Sequence, residues 1–282
     1  MLIAFIPVSH LTEKTAGVIT ALTVIASTHA SCHAQDLQHP APVWRLRLAP
    51  AVWRPAFGDD VTSDHKSVNL ENVNLAEADI GVTVDAELAI NKWVFRAGGF
   101  SFASNNDGNA KHPLRFGTAT LASGDAFSAR ASLSSAQFTI GRRFHKLVGD
   151  DASDIPTAAH AVDFSLDIYA GVRSYDARFT LRSPVATDQS VGGVFVEPIV
   201  GAGFGVNVFD KGGLRFNIDA GGQPFGDRTS TSFDIQVAFE LRPSRTVGAF
   251  IGWRQIVVDL QKSDDAFNTS LAGLFFGVVV AF

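Results

Sequence analysis

The stretch Leu274-Phe275-Phe276-Gly277-Val278-Val279-Val280-Ala281-Phe282 decides the reading of this sequence. At a period of two, Leu274, Phe276, Val278, Val280 and Phe282 share one face, and Phe275, Gly277, Val279 and Ala281 share the other. Both faces are apolar up to the last residue. Chain ends are normally polar and frayed, so a strand of this kind calls for a medium as apolar as lipid against one face. A closed antiparallel barrel in an outer membrane supplies it, because every backbone group is paired and one face of each strand meets hydrocarbon.

Working back from that stretch, the same alternation recurs. Trp44, Leu46, Leu48 and Val52 alternate with Arg45, Arg47, Ala49 and Ala51 in a first strand over 43–57. The clearest case is 79–90, where Ile80, Val82, Val84, Ala86, Leu88 and Ile90 oppose Asp79, Gly81, Thr83, Asp85, Glu87 and Ala89. Asn91-Lys92 fits a tight hairpin turn into a third strand over 93–104. A fourth strand runs down to His145, with 115–121 and 125–133 read as a small hairpin above it. The fifth covers 162–181, and beyond Arg173 its alternation changes phase, as it does where a strand leaves lipid for water or meets a bulge. Strands over 194–209, 214–221, 232–241 and 247–260 follow, and Ser263-Asp264-Asp265 precedes the tenth. Residues 58–76 read as an outer loop folded towards the lumen, with a short helix at 70–75.

The fold expected is therefore all-β: a transmembrane, up-and-down antiparallel barrel of about ten strands, with eight to twelve compatible with the pattern. A soluble sandwich or lipocalin-like barrel is the competing architecture. Its packed interior would hold Asp85, Glu87, Asp167, Glu197, Asp219 and Glu240, a costly arrangement unless each is paired or wetted. A polar lumen accepts them.

Composition agrees. The 282 residues include 23 Phe and 25 Gly but 1 Met, and charged residues make up 18%. A net charge of −5 without a basic stripe excludes a nucleic-acid surface. At the N-terminus, 16–27 is an apolar run flanked by Lys14 and followed by Cys32-His33-Ala34. A short apolar core, a basic flank and small residues before the cut describe a signal peptide over 1–34, cleaved after Ala34, with 35–282 as the barrel. The run is too short for a spanning helix. Cys32 would leave with it, giving a mature chain without a thiol.

The predicted inner face carries an ionic set: Arg45, Arg47, Arg96, Arg143, Arg173, Arg215, Arg242 and Arg254 with Asp85, Glu87, Asp163, Asp167, Glu197, Asp219, Asp234 and Glu240. Such a set either lines a narrow pore or interlocks as a salt-bridge network that plugs it. The near balance of signs favours the network, and the inward Phe275 and Val279 predict packing at the periplasmic end. Gly201, Gly203 and Gly205 lack the helix-opening context of a phosphate loop and read as a smooth track for Tyr169. Trp44, Trp53, Trp93 and Trp253 suit interfacial girdles. His65-Lys66-Ser67 has the residue types of a His-x-Ser hydrolase without a third member, and His112 and His145 lack metal-ligand spacing. Asp59-Asp60 and Asp264-Asp265 read as solvated loop charge. No catalytic, cofactor-binding or metal-binding residue is assigned.

Three further motifs carry a resemblance: Val196-Glu197-Pro198-Ile199-Val200-Gly201, then Leu214-Arg215-Phe216-Asn217-Ile218-Asp219-Ala220-Gly221-Gly222, then Ile251-Gly252-Trp253-Arg254 ahead of the Phe282 ending. In this order they resemble a broad family of small, porin-like or OmpA-like bacterial outer-membrane barrels with no settled activity. Where that family has Gly-Phe-Gly after the glycine pair, this chain has Gln223-Pro224-Phe225-Gly226, and Trp253 stands where Tyr is usual. The resemblance implies an exported outer-membrane protein recognised by the barrel-assembly machinery through Leu274, Phe276, Val278, Val280 and Phe282. The expected partners are outer-membrane lipid, lipopolysaccharide and periplasmic chaperones, with the chain a monomer. The expected role is non-enzymatic, structural or surface-directed through loops 58–76, 105–125 and 182–193. A narrow diffusion pore is the alternative, and a lipid-directed hydrolase stands third.

Overall fold

The computed structural model describes residues 44–148, 162–208, 211–224, 228–244 and 246–282. The expected signal peptide and its cleavage site lie outside them. Residues rich in β-branched and aromatic side chains, alternating with polar ones, form fourteen strands: β1 (Trp44–Phe57), β2 (Asp60–Ser63), β3 (Lys66–Asn69), β4 (Gly81–Ile90), β5 (Trp93–Asn109), β6 (Leu114–Phe116), β7 (Ala119–Leu121), β8 (Ala126–Val148), β9 (Val162–Ser183), β10 (Ala186–Val208), β11 (Gly212–Gln223), β12 (Arg228–Leu241), β13 (Val247–Lys262) and β14 (Asp265–Ala281). A 3-10 turn, Leu70–Val73, follows β3.

Ten of these strands make one closed antiparallel ring in the order β1-β4-β5-β8-β9-β10-β11-β12-β13-β14, and β14 returns to β1. Closure sets Val52 opposite Phe276 and Leu48 opposite Val280. Phe282 completes it: its amide donates to the Leu46 carbonyl at 2.8 Å, and its carbonyl accepts from the Leu46 amide at 3.1 Å. Asn91 supplies the positive φ of 54° that the β4–β5 turn needs, which Asn tolerates better than most residues.

Each long strand changes character along its length. In the half nearer Trp44 and Phe282, called here the near end, β9 turns Leu166, Ile168 and Val172 outward and Asp167, Tyr169 and Arg173 inward. In the far half it turns Ser174, Asp176 and Arg178 outward and Tyr175, Ala177, Phe179 and Leu181 inward. The pairing of β9 with β8 runs unbroken from Val162 to Arg182, so no bulge intervenes. The phase change legible at Arg173 is thus a change of surroundings on both faces at once. β8 does the same, with Phe138, Ile140 and Phe144 outward below and Phe127, Ala129, Ala131 and Leu133 inward above.

The far half is filled by an apolar core that includes Phe57, Phe102, Phe179, Val258, Leu260, Phe267 and Leu271. Two insertions roof it. β2 and β3 form a hairpin tied to the wall by pairing of Val61 with Phe267, and with the 3-10 turn they bury Val61, Val68, Leu70, Val73 and Leu75. Asn69 caps that turn by accepting from the Glu71 amide at 2.8 Å. The β6–β7 hairpin buries Phe116 and Leu121, and the Phe116 ring meets Phe179 edge-on at 5.0 Å. Lys66 Nζ joins the insertions by donating to the Gly117 carbonyl at 2.7 Å. Gly117 has φ of 55° in a turn where a side chain would start 2.5 Å from Gln189 Oε1, so glycine is favoured there.

Several expectations are corrected. Residues 126–133 continue β8 and are no hairpin; the hairpin lies within 114–121 and folds inward, because Phe116 and Leu121 complete the core. Residues 182–193 are not a loop, since β9 and β10 extend through them around Pro184-Val185. Residues 105–109 belong to β5. Trp53 is not in a girdle: it is odd-numbered on β1, like Arg47 and Ala49, and is fully buried in the interior, where Nε1 donates to the Gly273 carbonyl at 3.2 Å. Trp44, Trp93 and Trp253 do face outward. The expected short helix and the inward folding of 58–76 are present.

The inversion generates a paired expectation. Phe179→Ala removes a buried ring and should lower stability by about 3–5 kcal/mol in urea unfolding from vesicles, whereas Arg178→Ala, one residue away on the outer face, should stay within about 0.5 kcal/mol. Equal losses would refute the assigned faces.

Candidate functional site

Below the apolar core, alternation along the ten strands brings arginines and carboxylates from opposite walls into one interior layer. It divides into two clusters. Nearer the mouth, Glu87 of β4 accepts from Arg96 Nε at 3.1 Å and Arg143 at 2.8 Å. Asp167 of β9 binds Arg143 through both oxygens, at 2.7 and 2.8 Å, and also pairs with Arg96. Glu240 of β12 gathers Arg47 at 2.9 Å, Arg215 at 3.5 Å and Arg242 at 2.5 Å. Arg215 also stands 3.7 Å from Glu87, which links the two halves of the cluster across the lumen.

The deeper cluster centres on Arg173, which is buried at 1% exposure. It donates to Asp219 at 2.6 Å, to Gln137 Oε1 at 2.7 Å, to the Tyr175 hydroxyl at 3.2 Å and to Ser232 at 3.3 Å. Asp234 lies 3.6 Å away and holds Arg254 at 2.6 Å. The Arg254 guanidinium also lies over the rings of Phe100 and Trp53, at 5.3 and 5.7 Å, where the ionic layer meets the apolar one. Glu197, paired in register with Arg173, accepts from Ser232. Charges withdrawn from water are tolerated when each is paired and its remaining protons and lone pairs are bonded, and these two clusters largely meet that condition. Glu197 Oε2 is an exception, buried without a partner among the described residues.

The layer leaves two small cavities. One of about 90 Å³ lies between Asp85, Tyr169, Arg215, Asp219, Gln236 and Arg254. The other, about 50 Å³, opens at the near mouth among Arg45, His145, Asp163, Arg242 and Ala281. Arg47, Glu87, Arg96, Arg215 and Asn217 line both and stand between them. Each is polar and large enough for water molecules. Above the 90 Å³ cavity, Trp53 and Phe100 begin the apolar core.

Thus the inward set read from alternation comes together as one layer, with Arg45, Asp163 and Arg242 at the mouth, Asp85 on the larger cavity and the rest in ion pairs or hydrogen bonds. Phe275 and Val279 are inward and buried, and Phe275 packs on Phe250 at 5.7 Å. The greater apolar mass, however, lies at the far end. Thr83, Gln137, Tyr175 and Ser232 were missed as members of the network. Thr83, Gln137 and Ser232 sit at inward positions and were passed over because they carry no charge. Gly201 performs the service expected of it, since a side chain there would begin 2.6 Å from the Tyr169 ring. The other candidates do not join the layer. His65 is exposed beside Asp264 at 3.7 Å, Ser67 is exposed on β3, and His145 Nδ1 stands 3.4 Å from Asp163 at the mouth. Asp265 accepts from Ser63 at 2.8 Å. Among the described residues, no three His, Cys, Asp or Glu side chains gather as a metal site. Leu274, Phe276, Val278 and Phe282 are exposed on the outer face, with Val280 half-buried between Leu48 and Val247.

No protein-family model and no curated protein sequence matches the chain. Among solved structures it is similar to the neisserial surface protein A, at 12% identity over 85% of this chain and 97% of that one, with a TM-score of 0.31. It is also similar to the outer membrane protease OmpT from Escherichia coli, at 10% identity over 86% and 98%, TM-score 0.43. A third is the translocator domain of the autotransporter NalP from Neisseria meningitidis, at 9% identity over 95% and 97%, TM-score 0.34. At such values the description of the fold rests on the strand pairing itself.

The deep cluster predicts a non-additive response. Arg173→Met strands Asp219 and should cost about 3–5 kcal/mol, while adding Asp219→Asn should recover part of that loss. Strict additivity in equilibrium unfolding would contradict the pairing.

Proposed function

We propose that the chain is an integral barrel of a bacterial outer membrane, non-enzymatic and closed to solutes, that serves the envelope or the cell surface through its projecting far end. The observation that carries this reading is the outward apolar band on the near half of the ring, which includes Val84, Phe138, Ile168, Val200, Phe239, Ile251 and Phe276. Exposed apolar surface on this scale marks contact with lipid or protein, and its place around a closed ring matches a bilayer span. Trp44 and Trp93 at its lower edge suit an interface. No helix among the described residues is long and apolar enough to cross a membrane, so any crossing is made by strands.

Closure to solutes follows from two blocks in series, the ionic layer and the roofed apolar core. The far half then acts as a rigid stalk that carries Ser67, Lys111, His112 and Arg115 at its exposed tip. In this reading lipopolysaccharide surrounds the stalk, and the outward residues of β14 meet the assembly machinery during biogenesis. The narrow-pore reading has one observation in its favour, the two small polar cavities, which reach only partway along the axis.

In planar bilayers the purified protein should give no steady conductance; regular openings would overturn the closed reading. Orientation has its own check. A membrane-impermeant maleimide should label Arg115→Cys in intact cells and should label Lys211→Cys only after the outer membrane is opened. Labelling of both from outside, or of neither, contradicts the proposed placement.

A further inference from the structure

The outer wall of a small barrel is convex, yet on β5 and β8 to β12 it carries a shallow, widely open depression. Ala170, Ala202 and Ala220 face outward between the larger Ile140, Ile168, Val200 and Ile218, and the space above them is an open apolar groove of about 680 Å³. The groove follows two adjacent rows of paired residues. One runs Trp93, Arg142, Ile168, Ala202 and Ile218, and the other Ile140, Ala170, Val200, Ala220 and Phe233. It crosses the strands, so five interstrand spacings give it a length of roughly 24 Å. Because strands tilt in a barrel, such a row is oblique to the axis. It starts at the lower rim, where Trp93 begins β5, and ends high on the band at Phe233, just below the outward Thr231.

One end of this apolar channel is charged. Arg142 lines it and is exposed, with its guanidinium over the Phe144 ring at 5.7 Å. Among the described residues Arg142 belongs to none of the ion pairs. Lys92 stands in the adjoining turn, where its carbonyl accepts the Arg143 amide at 2.8 Å. A cation on a hydrocarbon-facing wall is costly unless a polar group meets it, and a phosphate meets a guanidinium through two parallel hydrogen bonds. A groove fit for an acyl chain, with a phosphate-binding cation at its rim, has the two halves of one amphiphile's chemistry.

We propose that this groove is a binding site for a single glycerophospholipid of the leaflet at the near end, with an acyl chain along Ala170, Ala202 and Ala220 and the phosphate on Arg142. The site rests on the membrane placement above. Arg142 anchors the headgroup, the alanines admit the chain, and Lys92 supplies a second positive charge beside the phosphate.

The test is native mass spectrometry of the full mature chain after exchange from outer membranes into detergent, with added phosphatidylglycerol or phosphate-free diacylglycerol as probes. The parent should keep one phospholipid. Arg142→Ala should weaken phosphatidylglycerol retention by about tenfold or more, and Arg142→Lys should restore much of it. Ala202→Phe should block the groove, whereas Ile251→Phe, exposed on β13 outside the groove, should not; heat-dependent gel migration confirms that each variant is folded. A parent that stays in the membrane fraction but is stripped of all lipid overturns the site alone. So does equal retention of diacylglycerol, retention of lipopolysaccharide in place of phospholipid, or indifference to Arg142→Ala. A parent washed from membranes by carbonate without detergent overturns the membrane reading itself.

Discussion

Arg173 sits at the level where this molecule turns inside out. Below it, side chains that face the axis are charged and those that face outward are apolar; above it the two sets exchange places. A guanidinium at that level can be satisfied from below by Asp219 and from the side by Gln137 and Ser232, while Tyr175, the first inward residue above it, donates aromatic surface to the core and keeps its hydroxyl on Arg173. Arg254 repeats the arrangement two strand pairs away, paired with Asp234 and lying over Phe100 and Trp53. These two arginines are the seam between a polar interior and an oily one: breaking Arg173 leaves Asp219 without its ion pair, and breaking Arg254 leaves Asp234 with only the more distant Arg173.

The seam explains why the ring needs its insertions. A barrel whose inner face turns apolar must either collapse or be filled. β2, β3, the 3-10 turn and the β6–β7 hairpin do the filling with Val61, Leu70, Leu75, Phe116 and Leu121. The far half therefore resembles a water-soluble domain with a core of its own, built on a wall continuous with the near half. The near half obeys the opposite rule, in which polarity is concentrated at the axis and hydrophobic surface at the rim.

Much of this was legible because period-two alternation reports faces directly. The ten-strand ring, the inward ionic set and the track at Gly201 all follow from which residues are odd and which are even along each strand. What alternation does not report is which face is inward once its polarity reverses. Residues 126–133 alternate Phe127, Ala129, Ala131 and Leu133 against Ala126, Ser128, Arg130 and Ser132, a pattern that suits a separate hairpin as well as the upper part of β8. The Trp53 error has the same source, since a tryptophan near a strand end suits an interface by type, while its position in the period puts it inside. Network members without charge, such as Gln137 and Thr83, leave no compositional mark; only the cross-strand register brings Gln137 to Arg173, and only closure of the ring brings Thr83 across the lumen to Arg254.

The reversal of faces also bears on how the molecule is delivered. In the proposed orientation the chain arrives from the side of its near end, and the half that has to travel furthest is the one clad in Ser174, Asp176, Arg178, Thr180 and Arg182. That half cannot slide through hydrocarbon as a finished object, because its polar coat would have to shed its water. In that orientation its wall and its roof would have to be passed across as unpaired or partly paired segments and closed on the far side. The final pairing of Phe282 with Leu46 would then latch a structure whose upper storey was already in place.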